Sequence, residues 1–333
     1  MPTSREVARI AGVSQATVSR VLQGSGRVTA GTRQRVLDVM AQVGYRPHAA
    51  ARAMRTRRAG IVGIVVADVT NPFYPELLRS LTSAFDRAGQ RVVLWDAGEG
   101  CEDSALAAID EGAVDGLIFT AVTAESASLR EALQRRQPVV LLHRGLDEIG
   151  CDQVTSDNRG GGALVADYLT GHGHARPGHL QGPELPRTSV DREQGFRERL
   201  AELGTPLHAE LVRRSGFSHD HARAQARELL DRDDPPTALF CANDLSAFGA
   251  LDGARSLGVR VPEDVWVVGY DDVEMASWDA FDLTTVRQPS ADMARAAVEL
   301  LLRRLDRGEV EPEDRRFPAD LVVRGSTAHA PAR

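Results

Sequence analysis

The chain has 333 residues, of which 42% are hydrophobic and 26% are charged. These are ordinary values for a folded protein of about two domains, and they exclude a fibrous or largely disordered chain. The longest apolar runs, such as IVGIVVA at 61–67, fall far short of the roughly 20 residues that cross a bilayer. The N-terminus lacks the apolar segment of a secretory signal. We therefore expect a cytoplasmic protein without a membrane span.

Charge is distributed unevenly along the chain. The net charge is −7 overall, yet residues 1–60 hold 11 arginines against only Glu6 and Asp38, a net charge of +9. A basic segment in an acidic chain indicates contact with nucleic acid, because affinity for phosphates grows with the number of cations presented. A solvated basic surface would give the same count.

Cysteines and histidines do not predict a metal site. Cys101, Cys151 and Cys241 are odd in number and have no CxxC spacing, so we expect free thiols. Two groups of histidines lie close in sequence, at positions 172, 174 and 179 and at positions 219 and 221. Apart from Asp220, no acidic or thiol ligand stands between the histidines of either group, so we expect neither a bound metal nor a cofactor.

The first 45 residues predict three short helices. Thr3 and Glu6 have the spacing of a capping box, which places a helix from Ser4 to Ala11, ended by Gly12. Ser14 then caps a second helix, QATVSRVL, after a three-residue connection. A third helix is expected from about residue 30 to residue 43. The tight connection is typical of a helix-turn-helix, although a structural bundle would share it.

Apolar residues at helical spacing predict the buried side of these helices. In the first two helices and their turn the expected core residues are Val7, Ala8, Ile10, Val13, Val18, Val21 and Leu22. In the third helix they are Val36, Leu37, Val39, Met40 and Val43.

The string VARIAGVSQATVSRVLQG at 7–24 resembles the DNA-binding head of the LacI family of bacterial transcriptional regulators. The resemblance implies that the second helix enters the major groove of DNA. Side chains expected nearest the base edges are Gln15, Ala16 and Arg20. Short hydroxyl side chains suited to phosphate contacts are Ser14, Thr17 and Ser19.

The segment YRPHAAARAMRTRRAG at 45–60 follows this head. Its roughly 8 to 10 helical residues are too few for a stable isolated helix, so its helicity should depend on a partner. By resemblance to the family it is a hinge helix, in which Arg52 and Arg55 attract DNA and Met54 wedges into the minor groove. A flexible linker is the alternative interpretation.

From Gly60 onward, short apolar strands alternate with amphipathic helices, which predicts parallel sheets with helices on both faces. The segments ADVTNPFYPELL, VTSDNRGGG, DREQGF, CANDLSAFGAL, VPEDVWVVGYDD and LTTVRQP resemble, in order, the effector domain of LacI-type regulators, which is related to periplasmic sugar-binding proteins. The resemblance covers nearly the whole chain.

The fold class implied by the resemblance is α/β. It comprises an N-terminal three-helix helix-turn-helix domain, a hinge helix, and a two-lobed effector domain of the periplasmic-binding-protein type. The two lobes are expected to be parallel doubly wound sheets joined by three crossovers. The expected boundaries are 1–45 for the DNA-binding domain, 46–60 for the hinge, 61–160 with 288–320 for the N-terminal lobe, and 161–287 with 321–333 for the C-terminal lobe.

Polar residues that follow the strands are candidates for a ligand pocket, because ligands of such sheets bind beyond the carboxyl ends of the strands. Arg192 is expected in the loop before a helix, and His143 stands where many relatives have Asp. The candidate effector-binding residues, read from strand ends and from the family motifs, are Asn71, Phe73, Tyr74, Arg144, Asp157, Arg192, Asn243, Asp271 and Trp278. Acids, an amide and a guanidinium suit vicinal hydroxyls, which suggests a sugar or sugar derivative.

We therefore expect a DNA-binding regulator, most simply a repressor, that acts as a homodimer on a pseudo-palindromic operator and responds to a small molecule. The alternatives are control by a protein corepressor, control by a nucleoside-type effector, and an α/β enzyme. The chain has no GxGxxG motif, no GxSxG motif and no lysine for a P-loop, and we expect no catalytic residues.

Overall fold

The computed structural model describes residues 2–22, 26–45, 58–66, 68–96, 101–120, 122, 126–146, 149–308 and 310–327. Contacts divide the chain into two units, Met1–Ala59 and Gly60–Arg333, which are described separately below.

The first unit contains the three predicted helices, α1 (Ser4–Ala11), α2 (Gln15–Leu22) and α3 (Ala30–Gln42). The Thr3 side chain accepts a hydrogen bond from the Glu6 backbone N–H at 3.3 Å, and Gly12 ends α1 in the left-handed conformation at φ 65°. The Ser14 hydroxyl accepts from the Thr17 backbone N–H at 3.1 Å. Because these caps are local, the sequence predicted the bounds of α1 and α2 correctly.

The core of the first unit is built from small apolar side chains. Its buried members are Val7, Ala8, Ala11, Val18, Val21, Val36, Val39 and Met40. The prediction of burial is wrong for three residues, because Ile10, Leu22 and Leu37 are 40%, 37% and 43% exposed. In the 8-residue helices α1 and α2 a single narrow apolar stripe is enough to pack two turns, so Ile10 and Leu22 flank it and face outward. In α3 the buried stripe is Val36, Val39 and Met40, and Leu37 lies beside it.

The second unit begins with a six-stranded sheet of order β2-β1-β3-β4-β5-β11. Its strands are β1 (Ile61–Val66), β2 (Arg91–Asp96), β3 (Leu117–Phe119), β4 (Val139–Leu142), β5 (Asp152–Ser156) and β11 (Asp314–Phe317). All the neighbouring strands pair in parallel. Helices α4 (Phe73–Arg87), α5 (Cys101–Asp110), α6 (Ala127–Gln134) and α11 (Ser290–Arg307) accompany this sheet. The runs IVGIVV and VVLL are buried because helices cover both faces.

A second six-stranded sheet has the order β7-β6-β8-β9-β10-β12. Its strands are β6 (Gly178–Gln181), β7 (Val212–Arg214), β8 (Ala238–Cys241), β9 (Trp266–Asp271), β10 (Thr284–Arg287) and β12 (Asp320–Val322). Helices α7 (Asn158–Gly171), α8 (Arg187–Glu202), α9 (His219–Leu230) and α10 (Asp244–Ser256) belong with it, together with 3-10 turns at Ala209–Leu211 and Glu274–Ser277. The expected doubly wound order is confirmed.

One strand departs from the expectation of wholly parallel sheets, because β12 pairs antiparallel with β10. The reason is the direction of the chain. β11 runs toward the second sheet, and only residues 318 and 319 separate it from β12, so the chain enters the second sheet without reversing. Within the described residues the chain passes between the sheets after β5, after β10 and after β11, which is the expected set of three crossovers.

Asp152 anchors the C-terminal helix of the first sheet. Its fully buried carboxylate accepts hydrogen bonds from Arg304 Nε at 2.5 Å, from Arg303 Nη2 at 3.2 Å and from the Glu313 backbone N–H at 2.8 Å. A buried carboxylate is tolerated only when it is paired and hydrogen-bonded, and these three donors satisfy it. Asp152 therefore joins β5 to α11 and to the segment that leads into β11.

Two of the three cysteines, Cys151 and Cys241, are buried free thiols, and Cys101 belongs to α5. Burial raises the pKa of Cys151 to about 12, so it is not a reactive thiolate. Among the described residues no helix has the length and apolar character that crossing a membrane requires.

Candidate functional site

A cavity of about 230 Å³ lies between the two sheets, at the carboxyl ends of their strands. It is lined by Asp68, Asn71, Phe73, Tyr74, His143, Arg144, Arg192, Gly216, Phe217, Asn243 and Asp271. The structure thus brings together seven of the nine residues predicted for the pocket. Asp157 and Trp278 are the two that it does not place here.

Two asparagines hold the loops at the edge of this cavity. Asn71 Oδ1 accepts a hydrogen bond from the Phe73 backbone N–H at 3.1 Å. Asn243 caps α10, and its Oδ1 accepts from the Ser246 backbone N–H at 2.9 Å. In both residues the oxygen is bound to the backbone, so the amide NH2 group is the part of the side chain left to meet a ligand.

An aromatic wall lies on the first-sheet side of the cavity. The rings of Phe73 and His143 are 4.4 Å apart and tilted by 39°, and Tyr74 meets both of them edge to face. His143 directly follows β4 and has a φ of 72°. Burial lowers the pKa of His143 well below its ordinary value, and the nearby charges of Arg192 and Arg144 lower it further. The imidazole is therefore neutral at pH 7.

Arg144 lies beside this wall. Its Nη2 donates to the Tyr74 hydroxyl at 3.2 Å. Burial raises the pKa of Tyr74, opposed by the charge of Arg144, so the phenol keeps its proton. Both residues were expected at the pocket and line the cavity, Arg144 shortly after β4 and Tyr74 in the first turn of α4.

Arg192 is buried on the second-sheet side, with 1% of its surface exposed. Its Nε donates to Asn158 Oδ1 at 2.9 Å, and its Nη1 donates to the Ala242 carbonyl at 2.7 Å. The guanidinium carbon lies 3.7 Å from the centre of the Tyr270 ring. The predicted loop position of Arg192 is wrong. Helix α8 already begins at Arg187, so Arg192 projects from the second turn of a helix and is held more rigidly than a loop would hold it.

Asp271 closes the polar side of the cavity. Its Oδ1 accepts from Gln288 Nε2 at 2.7 Å and lies 3.4 Å from Arg192 Nη2. Burial raises the pKa of Asp271 to about 6, although the charge of Arg192 opposes this rise. Behind it, Asp244 accepts from the Thr285 hydroxyl at 2.5 Å, and burial raises its pKa well above the ordinary value. Negative charge is thus costly at this point unless a cation faces it.

Gln288 connects the cavity to the crossovers. Besides donating to Asp271, it accepts a hydrogen bond from the Ser156 hydroxyl at 2.7 Å. Ser156 ends β5 of the first sheet, and Gln288 follows β10 of the second. Any movement of one sheet against the other therefore acts directly on the side chain that holds Asp271.

A second, smaller cavity of about 110 Å³ adjoins the first through their shared residue His143. Asp157 lines this smaller cavity, and its side chain caps α7 by accepting from the Gly160 backbone N–H at 3.0 Å. Thr188, from the first turn of α8, also lines it and is 2% exposed. Asp157 is thus a helix cap beside the predicted pocket, in the adjoining cavity.

Trp278 is placed differently from the prediction. It follows the 3-10 turn Glu274–Ser277, is 50% exposed, and lines neither cavity. The same turn contacts the first sheet's helix α4, since the Glu274 backbone N–H donates to Glu76 Oε1 at 2.7 Å. Phe217, which sequence reasoning missed, supplies the aromatic side chain on the second-sheet side. Its φ of 60° follows Gly216 at 66°, and a Gly-Phe turn after β7 was the available signal.

In the first unit the residues predicted to meet DNA lie along one helix and its cap. Ser14, Gln15, Ala16 and Arg20 are exposed, while Thr17 and Ser19 are half-buried. Gln15 Nε2 donates to the Ser4 hydroxyl at 2.9 Å, so its amide is already oriented by α1. The hinge residues Arg52, Met54 and Arg55 lie outside the described residues. No cluster of three or more metal-ligating side chains occurs in the part of the chain that the structure describes.

A three-helix helix-turn-helix unit and a two-sheet unit with a cleft define the architecture of a transcriptional regulator. Comparison with known families agrees. Residues 3–48 match the family described as bacterial regulatory proteins, lacI family, and residues 166–327 match the periplasmic binding protein-like domain. The chain belongs to the LacI family of bacterial transcriptional regulators.

Similar proteins extend over nearly the whole chain. The HTH-type transcriptional regulator DegA of Bacillus subtilis (strain 168) is 32% identical over 332 residues, 98% of each chain. The solved complex of the transcriptional regulator CelR with cellobiose has a TM-score of 0.75 and 33% identity, and covers 98% of this chain and 100% of that one. The lac repressor dimer bound to operator and the anti-inducer ONPF has a TM-score of 0.86 and 28% identity, over 98% and 99%. These relatives are regulators and repressors, so the family is not one of enzymes.

Proposed function

We propose that the protein is a repressor whose residues 1–45 bind an operator and whose cleft binds a small effector, a sugar or sugar derivative. The observation that carries this proposal is the cavity between the two sheets, which combines an aromatic wall with amide, guanidinium and carboxylate groups. Such a combination suits a hydroxylated ring, because flat side chains cover its apolar face and paired polar groups meet its hydroxyls. That the similar CelR was solved with cellobiose supports the sugar class.

Operator recognition is assigned to α2. Arg20 is exposed and able to contact guanine, and Gln15 is able to contact adenine. Ala16 is suited to a thymine methyl group. Ser14, Thr17 and Ser19 provide hydroxyls for phosphates, which position the helix without reading sequence.

The hinge remains a proposal at 46–60, with Arg52 and Arg55 contacting DNA and Met54 entering the minor groove. We further propose lobes at 61–160 with 288–320 and at 161–287 with 321–333. A single helix-turn-helix makes few base contacts, so a homodimer on a pseudo-palindrome is the functional unit. The similar lac repressor was solved as a dimer on its operator, which supports this arrangement. A bacterial protein that reads the chromosome works in the cytoplasm.

Control of DNA binding follows from the crossovers. An effector that binds better to one arrangement of the two sheets stabilises that arrangement, and the dimer then presents its two heads at a different spacing. Coupling of this kind is typically about 1–3 kcal/mol, or roughly a 5- to 150-fold change in operator affinity.

The test begins with selection of the operator from random duplexes by the purified full chain. Operator affinity is then measured with and without D-cellobiose, D-ribose, D-glucose 6-phosphate and hypoxanthine. We expect at least one sugar to change the affinity of the wild type and to have no effect on Asp271→Asn, while Asp264→Asn, an exposed aspartate paired with Arg260, responds normally. A response confined to hypoxanthine would favour a nucleoside-type effector. An operator affinity that changes only when a partner protein is added would contradict control by a small molecule.

A further inference from the structure

Several of the described side chains that line the larger cavity can donate hydrogen bonds to a ligand. The oxygens of Asn71 and Asn243 are held by backbone N–H groups, so these two side chains turn donating NH2 groups toward a ligand. Gly216 and Phe217 bring no side-chain acceptor. The balance therefore depends on the charged residues and on His143.

Three buried nitrogens around this cavity have no hydrogen-bond partner within the described chain. They are Nδ1 of His143, Nε of Arg144 and Nη2 of Arg192, of which the last is ion-paired with Asp271 at 3.4 Å without a hydrogen bond of good geometry. His143 and Arg192 are 6% and 1% exposed, so neither side chain has ready access to bulk water. An unsatisfied buried donor destabilises the folded chain, so a ligand that supplies an acceptor to Arg144 Nε removes a penalty already present.

One oxygen of each carboxylate on the same cavity is already occupied. Asp271 Oδ1 already accepts from Gln288 and faces Arg192. Asp68 Oδ1 accepts from both the backbone N–H and the hydroxyl of Thr70, at 2.8 and 2.6 Å. Asp68 is also exposed, whereas the unpartnered donors are buried.

The positive charges converge on His143. Both Arg144 and Arg192 lower the pKa of this imidazole, which means that both guanidinium groups lie close enough to repel a proton there. The contact with Phe73 fixes the ring against the aromatic wall of the cavity. His143 itself carries no charge, and the guanidinium groups of Arg144 and Arg192 are the two cations near it. Asp271 is hydrogen-bonded to Gln288 and faces Arg192 but not Arg144.

We propose that the effector carries an anionic oxygen group, a carboxylate or a phosphate, and that this group binds beside His143 between Arg144 and Arg192. The proposal rests on the proposed function, since it specifies what kind of sugar derivative the cleft accepts. Arg144 and Arg192 supply charge-assisted hydrogen bonds to the anionic group. The rest of the molecule lies against Phe73 and Tyr74.

The experiment measures thermal unfolding of the full chain by tryptophan fluorescence. All three tryptophans, at positions 95, 266 and 278, lie in the second unit, so the signal reports on the cleft-bearing unit and not on the DNA-binding head. Inorganic phosphate is the first probe, titrated at constant ionic strength. D-glucuronate, D-glucose 6-phosphate and uncharged D-glucose are the further arms. Glucuronate against glucose 6-phosphate distinguishes a carboxylate effector from a phosphate ester.

We expect phosphate and at least one of the two charged sugars to raise the unfolding temperature saturably, by roughly 5–10 °C at a hundred times the dissociation constant. Glucose should give no comparable rise. The rise should disappear in Arg144→Gln, which removes the cation but keeps a polar side chain able to bond to Tyr74. It should persist in Arg255→Gln, whose side chain is 66% exposed and lies on α10.

A second variant tests the same site in case Arg144→Gln does not fold. His143→Asp places a carboxylate in the cavity that Arg144 and Arg192 also line, and Asp tolerates a positive φ better than most residues. We expect this variant to fold and to lose the response to all the anions.

Two outcomes overturn the proposal. One is the absence of a saturable rise with phosphate and both charged sugars. The other is a rise that survives Arg144→Gln or His143→Asp. Failure of the proposed regulatory function would look different from failure of the anionic-effector proposal. In that case anions would still raise the unfolding temperature of the wild type and of Arg255→Gln but not of Arg144→Gln or His143→Asp, while operator affinity would stay unchanged. A neutral sugar that controls operator binding while no anion binds would leave the regulator standing and refute the anionic effector.

Discussion

Arg192→Met is the most informative change to the stability of the cleft. Methionine keeps the length and most of the volume of arginine but removes its charge and its donors. The change deletes the hydrogen bonds to Asn158 and to the Ala242 carbonyl and leaves the buried carboxylate of Asp271 without its cation. We therefore expect two separable losses, one independent of pH and one that depends on the charge of Asp271.

The first loss comes from two charge-assisted hydrogen bonds, worth roughly 1.5 kcal/mol each, or about 3 kcal/mol at any pH. The second follows from the pKa of Asp271, which burial raises from 3.8 to about 6. A raised pKa means that the folded chain binds this proton more tightly than the unfolded chain, so the group destabilises folding as the pH rises through 6. At pH 7 that penalty is about 3 kcal/mol in the wild type.

Without Arg192 the carboxyl takes up a proton at pH 7, which costs at most about 4 kcal/mol, roughly 1 kcal/mol more than in the wild type. At pH 5 the group is mostly protonated with or without Arg192, and the difference vanishes. Arg192→Met should thus lose about 4 kcal/mol of unfolding free energy at pH 7 and about 3 kcal/mol at pH 5.

The assay is equilibrium unfolding in urea, followed by tryptophan fluorescence at both pH values. Arg197→Met is the matched control, since Arg197 lies on the same helix and is paired with Glu193, but its side chain is 43% exposed. That control should change the free energy of unfolding by less than about 0.5 kcal/mol. The double variant Arg192→Met, Asp271→Asn should recover the pH-dependent part. A loss below about 1 kcal/mol at pH 7, or a loss that grows toward pH 5, would refute the reasoning.

Two further predictions concern helix packing and base reading. A Cβ on Gly195 of α8 would overlap the Arg159 carbonyl of α7, so Gly195→Ala should lower the free energy of unfolding in urea by at least about 2 kcal/mol. Gly171 has open space around it, so the control Gly171→Ala should change the free energy of unfolding by less than about 1 kcal/mol. Equal effects of the two glycine changes would contradict the close approach of the helices. Arg20→Ala should relax base preference at one position of each operator half-site, worth about 1–3 kcal/mol, in a selection from random duplexes at fixed salt. An unchanged consensus would remove Arg20 from the base-reading residues.

Local signals in the sequence predicted much of the fold. The Thr3 and Ser14 caps fixed α1 and α2 to the residue, because a cap involves only neighbours in the chain. The strand runs were equally predictable, since apolar β-branched segments between helices leave few alternatives. The exposure of Ile10 was not predictable, because it depends on how wide a face the partner helices cover.

The residues of the candidate site were likewise predictable where local signals place them and not predictable where tertiary packing places them. Residues at or beyond strand ends, such as Asn71 after β1 and Asp271 at the end of β9, line the cavity because parallel strands end at one edge. Trp278 was also a candidate, but a 3-10 turn leaves it half exposed away from both cavities. The position of Asp157 relative to the cavity depends on the direction of α7, which it caps. Phe217 was missed because its role depends on a left-handed turn.

The charge balance of the cavity was also beyond sequence reasoning. Which atom of Asn243 is free, and whether Arg144 and His143 find partners, depends on contacts between residues far apart in the chain. The list of residue types alone suggested a neutral sugar as readily as an acidic one.

We propose that occupancy of the cleft sets the affinity for operator DNA. The operator dissociation constant of the full chain, measured by fluorescence anisotropy at fixed salt, tests this with and without the compound that gives the greatest saturable rise in unfolding temperature. We predict a change of about 5- to 150-fold for the wild type and none for Arg144→Gln. If operator affinity stayed the same while that compound saturated the cleft, occupancy of the cleft would not control DNA binding.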